Sequence, residues 1–161
     1  MHKSALDKQR KEIVKQIKQN EASVKDYKNY IPIGNASNKL SNWNKQGVKI
    51  AYLSALKKSK LVRADETTKK LNVDKIILDK YKFPKGRVYH RKPNERYKNV
   101  IGRMKPLPDI IIEDDCESIG KQEITYNSLD DKLKKRIKSV IVKEFGGIEH
   151  LPDNINDLIK M

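Results

Sequence analysis

The chain has 161 residues, 37% hydrophobic and 35% charged, which suits one polar globular domain with its own core. No apolar run approaches the roughly 20 residues of a membrane helix, and no signal-peptide core stands at the start. The sequence therefore predicts a soluble, cytoplasmic protein with no membrane partner. Its single cysteine, Cys116, excludes an internal disulfide and fits a reducing compartment.

The formal charge of +15 is the usual mark of a nucleic-acid-binding protein. Here the lysines are scattered along the whole chain, with only brief runs such as residues 132–138. Lys, Asn, Ile and Tyr are also frequent together, which is typical of a compositional bias of a genome. We expect the charge to favour phosphate-bearing ligands in general. Salt-sensitive DNA or RNA binding is kept as an alternative function.

Residues 1–30 are predicted to form an N-terminal helix followed by a polar turn. Leu6, Ile13, Val14 and Ile17 recur at the spacing of one helical face, and the opposite face is Lys, Gln and Glu. This segment precedes the predicted core domain, residues 31–161.

The core begins with a helix and a buried strand. Asn35 is a suitable helix cap, Leu40 and Trp43 give the helix an apolar face, and Gly47 ends it. The mostly apolar run that follows, residues 48–54, is predicted to be a buried strand.

Helices and strands then alternate to the end of the chain. A helix with Val73, Ile76, Ile77 and Tyr81 on one face is ended by Pro84 and Gly86. The remaining predicted elements are a strand at 87–90, a helix capped by Asn94 that stops before Pro106, a strand at 109–113, a helix at 129–137, a strand at 139–145 and a helix within 151–161. This alternation predicts an α/β domain with a largely parallel sheet.

In such sheets ligands gather at the carboxyl ends of the strands. Ser54 closes one predicted strand, and the acids Glu113, Asp114 and Asp115 close another. Adjacent carboxylates suit Mg²⁺, a serine hydroxyl can bond a phosphate oxygen, and Lys98 can neutralise charge between them. The structural alternative is that the acids cap a helix, the serine is a loop residue and the lysine is solvated.

Three stretches in this order, "VKIAYLSA", "ERYKNV" with Lys98, and "PDIIIEDDCESIG", resemble motifs II, III and IV of the haloacid dehalogenase superfamily. Most members of that superfamily are Mg²⁺-dependent phosphohydrolases. "YIPIGNASNKLSNWNKQG", "YKFPKGRVYHR" and "SVIVKEFGGIEHLPDNINDLI" extend the resemblance, to a bacterial subgroup, over nearly the whole chain.

The resemblance implies a Rossmann-like fold, a Mg²⁺ cofactor and a small phosphorylated substrate. It makes Ser54 and Lys98 catalytic residues that hold the phosphoryl group, with Lys105 as the alternative to Lys98. It gives Asp114 and Asp115 to the metal. Glu113 stands where many members carry Gly, so the resemblance assigns it no role. The N-terminal helix, by the same resemblance, is a remnant of a cap over the site, or else a surface helix on the sheet edge.

The motif I strand of that superfamily, which ends in D-x-D-G-T and supplies the aspartate nucleophile, is absent from these 161 residues. The nearest stretch is "KIILDKY", but Asp79 is followed two places later by Tyr81 and falls in a helical pattern. Similar sequences run from motif I almost directly into a segment like "MHKSAL". Met1 is therefore expected to be an internal methionine, with the first strand upstream.

The missing strand is central in the family fold, between the motif II and motif IV strands. We expect those two strands to close up on each other, to accept another strand, or to leave a marginal domain. The chain as written is predicted to be incapable of aspartyl-phosphate chemistry. Two hypotheses follow, a phosphohydrolase truncated or impaired by that loss, and a non-catalytic relative that binds phosphate or a partner.

Two other residue types carry no predicted chemistry. His2, His90 and His150 lack a zinc-ligand spacing with Cys116. The acids that precede Cys116 disfavour its thiolate, so a packing or loop role is expected for it.

Overall fold

The computed structural model describes residues 8, 11, 12, 15, 32–57, 74–92, 94–115 and 123–161. Within them, helices alternate with parallel strands, and the predicted α/β class is confirmed. The helices are α1 (Ala36–Lys45), α2 (residues 74–80), α3 (Tyr97–Arg103), α4 (Thr125–Ser128), α5 (Asp131–Arg136) and α6 (Ile155–Lys160). The strands are β1 (Ala51–Lys57), β2 (Arg87–Arg91), β3 (Ile110–Asp114) and β4 (Lys138–Val142).

The described strands form two separate two-stranded parallel sheets, β1–β2 and β3–β4. Parallel pairing was predicted, but a single continuous sheet is not what these residues form. No ladder joins β1 to β3 in the described part of the chain, so these two strands have not closed up on each other.

Several element boundaries differ from the prediction, each for a local reason. β1 begins three residues later than predicted, because Val48 packs beside the core around Trp43 instead of entering the ladder. β1 also continues to Lys57, so Ser54 lies inside the strand and does not close it as predicted. α3 begins at Tyr97, not after Asn94, because Asn94 has a φ of 63°, in the left-handed region, which does not open a helix.

The helix predicted over residues 129–137 is α5 (Asp131–Arg136), and a separate short helix, α4, precedes it. Leu129 ends α4, and the side chain of Asp130 accepts a hydrogen bond of 2.9 Å from the N–H of Leu133. That bond caps α5, so the chain turns between the helices instead of continuing one of them. The strand predicted to reach residue 145 ends at Val142, before a turn.

Two apolar cores hold these elements together. The first joins the β1–β2 sheet to α3, β3 and the chain before β4; its buried members are Tyr89, Val100, Ile101, Met104, Ile111, Leu129 and Ile137. The second joins α1, β4 and the C-terminal segment; its buried members are Trp43, Val140, Val142, Leu151 and Leu158.

β3 lies between the two cores and contributes to both. Ile111 belongs to the first core, whereas Ile110 and Ile112 pack against the second, because successive strand residues point to opposite faces. The run of three isoleucines is therefore explained by burial on both faces. It carries the acids that follow to one defined place at the end of the strand.

The polar side of α1 grips the loop of residues 149–155. We call these contacts the α1 clamp. Trp43 Nε1 donates to the carbonyl of Pro152 at 3.0 Å, and Lys39 Nζ donates to the carbonyl of Leu151 at 2.7 Å. Lys39 also pairs with Asp153 at 2.5 Å, and Gln46 Nε2 donates to the Asp153 carbonyl at 2.8 Å. The clamp satisfies polar groups that flank the buried indole.

The helix cap of α1 differs from the expectation. Asn35 occupies the N-cap position, but its side chain makes no capping hydrogen bond. Instead its backbone N–H donates to Glu149 Oε1 at 2.6 Å. Gly34, with a φ of 56°, leaves room for that carboxylate, since a Cβ there would stand 2.6 Å from Glu149 Oε1.

Two apolar faces predicted near the start of the chain have different outcomes. Within residues 1–30, the described Lys8, Lys11, Glu12 and Lys15 are helical and exposed, and the apolar residues of that face lie outside the described residues. On α2 the prediction was wrong at Ile76, which is 50% exposed, and Val73 lies outside the described residues. None of the helices in the described ranges is long and apolar enough to cross a bilayer.

Candidate functional site

Three carboxylates meet at the carboxyl end of the β3–β4 sheet. Asp114 is the last residue of β3, Asp115 follows it, and Glu144 lies two residues beyond the end of β4. One ligand oxygen from each lies within 4.8 Å of the others. We call these three residues the acidic triad. Glu144 is only 8% exposed, which is unusual for an acid beside two others.

The register of the sheet produces this meeting. Asp114 pairs with Val142, so both strands end at the same level. The N–H of Asp115 then donates to the Val142 carbonyl at 2.9 Å, and Asp115 Oδ1 accepts from the N–H of Glu144 at 3.2 Å. The two chain segments are thus held together by backbone groups beyond the last strand residues.

The donor set of the acidic triad is entirely carboxylate oxygen. Hard divalent cations such as Mg²⁺ prefer such ligands, whereas zinc sites use mainly nitrogen and sulfur. The sequence prediction named Asp114 and Asp115 but missed Glu144, which it placed inside a strand. Its position just after the strand that pairs with β3 was the signal, but only the register makes that pairing known.

Glu113 has a structural role of its own. Its Oε1 accepts from the N–H of Thr125 at 2.7 Å, and its Oε2 accepts from the N–H of Tyr126 at 3.1 Å. These are donors of the first turn of α4 that have no partner within the helix. Glu113 therefore fastens α4 to the end of β3. Its contacts with the described residues are those of a helix cap, the structural alternative considered for the acids.

Ser54 takes part in a second polar cluster, on the β1–β2 sheet. Its Oγ donates to Asp74 Oδ2 at 2.7 Å, and the same oxygen lies 3.0 Å from His90 Nε2. We call this set the Ser54–Asp74–His90 cluster. His90 is 7% exposed, and Asp74 is the first described residue of α2. The cluster ties α2 to both strands of the sheet.

The order of contacts in this cluster decides its chemistry. Asp74 stands between the serine and the histidine, so His90 does not bond the hydroxyl that a catalytic base would deprotonate. Ser54 is therefore oriented as a hydrogen-bonding group and not activated as a nucleophile. A register shift between Leu53 and Lys57 re-aims β1 at this point, as bulges near binding sites often do.

The two lysines considered for the site adjoin different sheets: Lys98 follows β2, and Lys105 precedes β3. Lys98 is half-buried in the first turn of α3, beside the carboxyl end of β2, and belongs to neither polar cluster. Lys105 is exposed and precedes the amino end of β3, the end opposite Asp114. The length of β3 thus separates Lys105 from the acidic triad.

Arg91 was not predicted and lies at the end of β2. Its guanidinium carbon is 4.1 Å from the centroid of the Tyr97 ring. Its Nε is buried and has no hydrogen-bond partner among the described residues. The sequence signal for it was the pattern of arginine and tyrosine at alternate positions of "RVYHR", residues 87–91.

An ion pair fixes the geometry around Arg91. Arg103 Nε donates to Glu95 Oε1 at 2.7 Å, and Arg103 Nη2 donates to the carbonyl of His90 at 2.7 Å. The hydrogen bond from Arg103 lowers the pKa of Glu95 from its ordinary value, and the same bond raises the pKa of Arg103. This ion pair holds the end of β2 against α3.

The other described residues considered in the sequence belong to neither polar cluster. Asp79 is exposed on α2, which is helical as expected, and His150 is exposed. His2 and Cys116 lie outside the described residues.

Comparison with known proteins adds no relative. No protein-family model, curated protein or solved structure matches the chain. Function is therefore argued from the motifs and from the geometry of the strand ends.

Proposed function

We propose that the chain is a haloacid-dehalogenase-like domain that binds Mg²⁺ and a small phosphorylated ligand at the carboxyl ends of its strands. The observation that carries the proposal is the acidic triad, whose ligand oxygens lie within 4.8 Å of one another. It is supported by the order of the three motif-like stretches, which puts Ser54, Lys98 and the acids in the sequence order that the superfamily uses.

The proposed roles follow from the side-chain chemistry. Asp114, Asp115 and Glu144 would hold the cation, which would neutralise phosphate charge and orient the group. Ser54 would turn its hydroxyl from Asp74 toward a phosphate oxygen. Lys98 would supply a positive charge on the same side of the domain.

We propose binding, without hydrolysis, for the sequence as printed. A D-x-D-G-T stretch, the source of the aspartate nucleophile, is absent from it. No other described side chain is arranged as an activated nucleophile, since Asp74 separates Ser54 from His90. Phosphate-ester hydrolysis is proposed only for a form that carries such a motif.

The test is titration of Mn²⁺, a paramagnetic substitute for Mg²⁺, followed by the loss of the free-ion resonance. We expect one site on the wild-type chain, displaced by excess Mg²⁺. The Asp114→Asn/Asp115→Asn double variant should lose at least about tenfold in affinity, since each ionic ligand contributes more than about 1.4 kcal/mol.

Asp131→Asn and Asp157→Asn together form the matched control, since both acids are exposed and lie in other helices. That variant has the same net charge as the test variant and should bind Mn²⁺ as the wild type does. Equal loss in both variants would reduce the site to general charge attraction, and no loss in the test variant would refute it.

A further inference from the structure

We propose that Arg91, stacked on Tyr97, is a phosphate-binding residue at the end of β2, with Lys98 as its neighbouring cation. The inference deepens the proposed function, from which it takes the class of ligand. It adds a recognition residue that the motif comparison does not contain.

The position follows from the topology. β1 and β2 are parallel, and Arg91 is the last residue of β2, so it lies at the carboxyl end of that sheet. The chain returns into α3 within a few residues, so Tyr97 and Lys98 lie at the same end. This is where ligands of parallel α/β domains bind. Ser54 lies in the middle of β1, before the strand ends at Lys57.

The Tyr97 ring lies 4.1 Å from the central carbon of the Arg91 guanidinium, a cation–π contact that helps to position the group. Stacking uses no N–H donor and leaves the edge of the fork available. A guanidinium fixed in this way loses less entropy when it binds a planar or tetrahedral anion bidentately.

Arg103 provides the internal comparison. Arg103 donates from Nε and Nη2 to both carboxylate oxygens of Glu95 and to the carbonyl of His90, so the fold supplies acceptors for these two nitrogens. Arg91 lies at the other end of α3, and its Nε is buried without an acceptor among the described residues. Burying a charged donor without an acceptor is unfavourable, so such a group usually has an external partner.

The partner expected from this chemistry is a phosphate group. Bidentate recognition of phosphate is the interaction for which arginine is best suited, and a second cation one residue beyond the stacking tyrosine strengthens it. Lys98 is half-buried and has no hydrogen bond or ion pair with the described residues, so it is available for that role.

The experiment is calorimetric titration of the full chain with inorganic phosphate, with and without Mg²⁺. The variants are Arg91→Leu and Arg91→Lys, with Arg136→Leu as the matched control, because Arg136 is exposed at the end of α5. We expect Arg91→Leu to weaken phosphate binding about 10- to 100-fold, the range for one charge-assisted contact. Arg91→Lys should restore part of the affinity, and Arg136→Leu should change it less than about twofold.

A second variant covers the case in which Arg91→Leu misfolds. Tyr97→Leu keeps the arginine but removes the ring that holds it, and should weaken phosphate binding less than Arg91→Leu does. Unchanged phosphate affinity in both variants would overturn the inference. Because Mn²⁺ binding is measured separately, loss of phosphate binding in Arg91→Leu with intact Mn²⁺ binding would support the role of Arg91. A wild-type chain that binds Mn²⁺ but not phosphate would overturn that role and leave the metal site standing.

Discussion

The α1 clamp and the carboxyl ends of the strands are both rich in polar side chains, but they use them differently. In the clamp, Lys39 and Gln46 bond backbone carbonyls or a carboxylate of the loop that they hold. At the strand ends, three carboxylates share one place, and Arg91 keeps a buried donor without an acceptor among the described residues. The clamp contacts belong to the fold, and for the strand ends we propose a ligand.

The two regions differ in what their charged side chains contact. A charged side chain with several donors bonded to acceptors of the fold, such as Arg103, contributes to stability. A set of like charges close together, such as the acidic triad, becomes less unfavourable when a cation binds. Variants in the two regions should therefore separate stability from ligand binding.

The largest effect is expected in the clamp, from Trp43→Ala. Trp43 is 2% exposed in the second core and its indole donates to Pro152, so the change leaves a large cavity and an unpaired carbonyl. We expect the free energy of unfolding to fall by about 3–5 kcal/mol, measured by urea denaturation.

Ile159→Ala on α6 is the control. Because Ile159 is 53% exposed, this substitution should lower the free energy of unfolding by only about 0.5 kcal/mol. A small loss in the Trp43 variant would mean that α1 is not tightly docked, and the comparison between the two regions would fail.

A smaller effect, dependent on pH, is expected at the ion pair that supports the end of β2. Glu95→Gln should lower the free energy of unfolding by about 1–3 kcal/mol at neutral pH, because the charge-assisted hydrogen bonds with Arg103 weaken. The folded-state pKa of Glu95 is lowered, chiefly by the hydrogen bond from Arg103. Its contribution is therefore present above the ordinary value of 4.5 and is lost as the pH falls through the lowered pKa.

Urea titrations between neutral and acidic pH test this sign. The wild type should lose stability more steeply below the ordinary carboxylate pKa than Glu95→Gln does. Asp109→Asn, at an exposed position, should keep the wild-type slope. Parallel curves for the wild type and Glu95→Gln would remove the ion pair from the account of this region.

The smallest effect, and the most informative for the comparison, is expected from Asp114→Asn. Removing one charge from the acidic triad relieves repulsion of about 1 kcal/mol in the metal-free chain, the Coulomb energy of two charges about 4–5 Å apart in water. We expect a melting temperature a few degrees higher without metal and a smaller rise on adding Mg²⁺.

The wild type should show the opposite pattern, a lower melting temperature without metal and a larger rise with it. Differential scanning calorimetry in chelator and in Mg²⁺ separates the two. If Asp114→Asn is destabilising in both conditions, the acidic triad belongs with the clamp as a structural feature.

Much of the secondary structure was predictable from local patterns. The run "DIIIE" predicts β3 because three isoleucines in a row suit a strand buried on both faces, and the structure has Ile111 in one core and Ile110 and Ile112 in the other. The errors fell at boundaries, such as the start of α5, where the side chain of Asp130 caps the helix and makes it begin at Asp131.

The sequence by itself determined the α/β alternation and the delivery of Asp114 and Asp115 to a strand end, because apolar periodicity and residue order are local properties. Only the tertiary structure decided that Glu144 joins them, 29 residues from Asp115, because parallel pairing brings distant residues to one level. It likewise decided that Glu113 caps a helix and that the described strands form two sheets. Those outcomes depend on register, which no single stretch of sequence contains.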